Sequence, residues 1–108
     1  MYNERYGKVV ETLFDKYELT LKDRVVAGHL LAYIDVGDCT IDDLKKDAAK
    51  VMNRFVSYYR GIYEKDLDIV NELLCNEYLG IMEAYCEEDK KDRLNTVIAC
   101  IEEIIANT

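Results

Sequence analysis

The chain has 108 residues, half of them hydrophobic and a third charged, with no proline and five glycines. That length suits one domain with a core of its own, the composition excludes a disordered chain, and the scarcity of turn formers excludes a strand-and-turn protein. The net charge of −8 weighs against a phosphate backbone as partner.

Residues 3–17 predict a first helix, because Tyr6, Val9, Val10, Leu13, Phe14 and Tyr17 fall at spacings of three and four. The same stretch carries Glu4 and Glu11 and no long apolar region, so no secretory signal is expected. Thr20 stands three residues before Asp23, a capping-box spacing with Asp in the place of Glu. It opens a second helix over 21–34, whose Val25, Val26, Leu30, Tyr33 and Ile34 predict a wide buried face. Gly37 and Asp38 then supply a stop, and Thr40 caps the next helix with Asp42 and Asp43 in its first turn.

Over 41–62, Leu44, Ala48, Val51, Met52, Phe55, Tyr59 and Ile62 keep the three-four period, which predicts an uninterrupted third helix. Gly61 and the cluster Glu64-Lys65-Asp66 suggest a break, with Asp66 as cap; one kinked helix through this region is the alternative. The fourth helix, 67–86, is apolar over much of its circumference. Leu67, Val70, Leu73, Leu74, Tyr78, Leu79, Ile81, Met82 and Tyr85 all favour burial, so it is expected to be central. After a connection at 87–89, a last helix over 90–106 places Leu94, Val97, Ile98, Ile101, Ile104 and Ile105 on one face. Helices with such short connections pack as antiparallel neighbours. The fold expected is therefore all-α, a single compact bundle of four to five antiparallel helices over 1–108.

Cys39, Cys75, Cys86 and Cys100 show no C-x-x-C spacing, and His29 is the single histidine, so no zinc site is expected. Cys75 and Cys100 lie almost symmetrically about the 87–89 connection. Either both are small buried core thiols or they form a disulfide between antiparallel neighbours. No segment reaches the ~18 apolar residues that span a membrane, which makes the cytoplasm the default location and excludes a membrane partner.

Enzyme signatures are scarce. The sequence holds no phosphate-cradling glycine loop, no Gly-x-Ser-x-Gly, no His-Glu-x-x-His and no EF-hand spacing. Arg24-Val-Val-Ala-Gly-His29 resembles the Arg-x4–6-His motif of the HEPN ribonuclease family. That resemblance implies an all-helical domain in which Arg24 and His29 converge in a groove, across a dimer. Val25 stands where the family usually has a polar residue. Leu30 to Ile34, Gly37 and Thr40 to Leu44 resemble the opening of many winged-helix regulators, in which a Thr-capped short helix leads to a recognition helix. Here Lys45 to Phe55 holds no Gly or Pro for the turn that should follow.

Two surfaces are candidates for contact. Lys46, Lys50 and Arg54 lie four apart, and Tyr58 continues the row, an arrangement able to track phosphates and stack bases. Asp42, Asp43 and Asp47 are spaced to pair with those lysines and so to cancel that charge. The other surface is acidic and tyrosine-rich. Residues 1–63 hold ten acidic and ten basic side chains, and residues 64–108 hold twelve acidic and four basic. Nine tyrosines are more than one small core absorbs, and exposed tyrosines favour interfaces. The sequence thus predicts a small acidic protein-interaction module, an adaptor, inhibitor or subunit, that needs no cofactor and performs no catalysis. Its partner is a protein, met alone or after forming a homodimer, through Tyr58, Tyr59, Tyr63, Glu72 and Glu83. A nucleic-acid-binding regulator using Lys46, Lys50 and Arg54 is the second expectation, and a HEPN-like ribonuclease or its inactive relative is the third.

Overall fold

The computed structural model describes the backbone over 2–66 and 69–107 and the side chains over 7–61 and 77–107. Five helices follow in order: α1 Tyr2–Lys16, α2 Leu21–Asp35, α3 Ile41–Asp66, α4 Ile69–Ala84 and α5 Lys91–Ala106, with a 3-10 turn Glu88–Lys90 before α5. There is no strand among the described residues, and the architecture is the expected all-α bundle. α5 packs on α1, α2 and α3, while α4 packs on α3 and α2.

Local chemistry sets the helix ends. At the end of α1 the amide of Leu19 donates to the Phe14 carbonyl at 3.0 Å and that of Glu18 to the Asp15 carbonyl at 3.1 Å. This is a Schellman closure, which requires a left-handed residue at the turn. Glu18 fills that position at φ 52, where glycine is the usual residue. Leu19 then turns inward and is buried with Phe14, the apolar contact that accompanies the motif.

α2 begins in the expected capping box. The amide of Asp23 donates to Thr20 Oγ1 at 3.1 Å, and the amide of Thr20 to Asp23 Oδ2 at 2.9 Å. Gly37, at φ 83, turns the chain after α2. A second capping box opens α3, with Asp43 N to Thr40 Oγ1 at 3.1 Å and Thr40 N to Asp43 Oδ2 at 3.0 Å.

α3 departs from expectation. Asp47 stands at φ −160, ψ 83 inside it, an extended residue that divides a short first segment from a longer second one. Its carboxylate accepts from the Lys50 amide at 3.1 Å, so Asp47 works as an N-cap for the segment that follows. The apolar period runs across the break and concealed it. The helix also continues through Gly61 to Asp66, past the expected end at 62. The α3–α4 junction at 67 and 68 lies outside the described residues. Gly7, at φ 50, likewise interrupts α1 where an unbroken helix was expected.

The core joins Val10, Leu13 and Phe14 of α1 to Val26, Leu30 and Leu31 of α2, Met52 and Phe55 of α3, Met82 of α4, and Val97, Ile101 and Ile104 of α5. The apolar face read for α5 is the buried one. Two residues expected inside are not. Val25 is half-exposed and stands outside the core cluster that takes in Val26 and Leu30. Tyr78 is 41% exposed. Cys39 and Cys100 are buried and Cys86 is half-buried, all as free thiols, while Cys75 lies outside the described side chains. Burial pushes the thiols of Cys39 and Cys100 up to about 11, which keeps them protonated and unreactive.

Candidate functional site

One buried carboxylate holds the helix ends that frame the site. Asp23 is fully buried. It accepts from Tyr85 Oη at 2.5 Å and forms an ion pair with Arg93, in addition to the cap at Thr20. The N-terminus of α2, the end of α4 and the start of α5 therefore meet at one side chain. Burial alone would raise its pKa, but the bonds from Arg93, Tyr85 and Thr20 outweigh that and hold it below the ordinary carboxylate value. Tyr85 is pushed up to about 12 by its burial and by the carboxylate it faces.

On the outer side of α2 lies a groove of about 410 Å³, lined among the described residues by Leu21, Arg24, Val25, Gly28, His29, Ala32 and Tyr78. The α2 residues recur at spacings of three and four, so they form one stripe along the helix. Leu21 is 84% exposed. This stripe is a second apolar face of α2; Val26, Leu30 and Tyr33 on the first one are buried. A chain of aromatic contacts leads from the groove across the bundle. His29 lies 5.8 Å from Tyr78 and 6.4 Å from Tyr33, ring centre to ring centre. Tyr33 stacks on Phe55 at 4.0 Å and on Tyr59 at 5.8 Å, and Tyr59 meets Tyr58 edge-on at 5.2 Å. The ends of this chain, Tyr78 and Tyr58, face solvent.

The ring of His29 is oriented from within its own helix. Nδ1 lies 2.8 Å from the Val25 carbonyl. A carbonyl only accepts, so Nδ1 carries the hydrogen and Nε2 of the neutral ring is the acceptor. Arg24 lines the same groove, but its guanidinium is drawn back toward α1. Nη2 donates to Asp15 at 3.0 Å and Nε to the Leu19 carbonyl at 3.1 Å, over the Phe14 ring. No hydrogen bond joins Arg24 to His29 within the chain.

The sequence-derived contact residues divide. Tyr58 is exposed and Tyr59 is half-buried in the aromatic chain. Glu83 is exposed, but its carboxylate is held by Arg60 in an ion pair that ties α4 to α3. Tyr63 and Glu72 lie outside the described side chains. On α3, Lys46, Lys50 and Arg54 are all exposed. Neither lysine is ion-paired among the described residues, contrary to the expected pairing. Asp43 and Asp47 are spent on helix caps instead. Arg54 lies over the Phe55 ring at 5.1 Å and donates weakly to the Asp38 carbonyl at 3.4 Å.

Leu21, Val25, Gly28, Ala32 and Tyr78 were not among the contact residues read from the sequence. The available signal was their spacing: α2 is apolar on two sides, and a core covers only one. No three His, Cys, Asp or Glu among the described residues come together as a metal site. No described helix is long and apolar enough to cross a membrane. No family model, curated protein or solved structure matches this chain.

Proposed function

We propose that this chain is a non-catalytic protein-interaction module whose docking surface is the groove of α2 and Tyr78. The observation that carries this reading is the second apolar stripe of α2, half-exposed along most of its length and beginning in a leucine that is almost fully exposed. A large exposed apolar side chain beside a concave surface is the composition of a helix-binding groove. Tyr78 and His29 add flat, rigid contact area at small entropic cost. The module acts in the cytoplasm, where its free thiols stay reduced. The net charge of −8 keeps it soluble and repels nucleic acid.

The test is capture of partners from native lysate, after nuclease treatment, by the wild-type chain and by Leu21→Glu. The reading expects protein partners that the variant loses. A capture profile that Leu21→Glu leaves unchanged contradicts it.

A second reading, nucleic-acid binding through α3, is favoured by one observation. Lys46, Lys50 and Arg54 are exposed, and the break at Asp47 supplies a turn that a helix-turn-helix needs. It ranks second because Asp42, Asp43 and Asp47 are exposed on the same stretch and lower the local potential.

A further inference from the structure

We draw no further inference here: the strongest candidate, the apolar groove on the outer side of α2 lined by Leu21, Val25, His29 and Tyr78, belongs to the site already described, and nothing in the structure shows what covers it.

Discussion

Tyr85 donates its phenol hydrogen to the buried carboxylate of Asp23 at 2.5 Å, across 62 residues of sequence. Asp23 also caps its own helix and pairs with Arg93. One side chain therefore fixes the start of α2, the helix that carries the groove, against α4 and α5. A hydrogen bond to a charged group contributes about 1.5–3 kcal/mol, and a carboxylate left short of a donor in the interior is costly. Tyr85→Phe should lower unfolding free energy by about that amount in urea titrations while leaving the helical circular dichroism unchanged. A loss below about 0.5 kcal/mol would show that the bond does not hold the bundle.

The same carboxylate predicts an acid limit to stability. Its folded-state pKa lies below the ordinary value of 3.8. The unfolded chain therefore binds the proton more readily, and stability falls as pH drops. Its contribution is complete above about pH 4 and disappears as pH falls through the lowered value. Asp23→Asn should be less stable than wild type at neutral pH and should show a shallower loss as pH falls below about 4. Parallel acid-unfolding curves for the two proteins would contradict this.

Glu18 holds a left-handed conformation at φ 52 in the turn that ends α1. That conformation costs an L-residue roughly 1–2 kcal/mol, and glycine adopts it freely at some cost in unfolded-state entropy. Glu18→Gly should therefore stabilise the protein by about 0.5–1 kcal/mol. Thermal denaturation checks the sign; a lowered midpoint would mean that the glutamate side chain contributes something beyond the turn.

Asp47 caps the second segment of α3 through the Lys50 amide. Asp47→Ala should cost about 1 kcal/mol. Lys46, Lys50 and Arg54 flank that cap, and their replacement by glutamate tests the nucleic-acid reading in the same series. The protein-docking account expects no salt-sensitive binding of labelled DNA or RNA by the wild type, measured by fluorescence anisotropy. Binding that disappears in the triple variant would transfer the function to α3.

The helices were legible because local signals agreed with the fold. Thr20 and Thr40 announce their caps, and the apolar stripe of α5 is the face that is buried. What escaped the sequence depended on packing. Asp23 is readable as a cap, but its second role exists only once Tyr85 and Arg93 are brought to it. Asp47 breaks α3 without disturbing the apolar period, so periodicity could not report it. Val25 and Tyr78 look like core residues by type, and whether a neighbour covers them is a property of the assembled bundle. His29 and Arg24 read as a motif; in the fold Arg24 is engaged by Asp15 and His29 by its own helix.

The central claim is that the half-exposed second face of α2 is a protein-docking surface, and Leu21→Glu tests it most directly. Leu21 is 84% exposed at the first position of a helix, where an acid suits the dipole, so the variant should keep wild-type stability within about 0.5 kcal/mol. Quantitative comparison of nuclease-treated captures should show protein partners bound by the wild type and lost by the variant. Equal capture by two equally stable proteins would contradict the account.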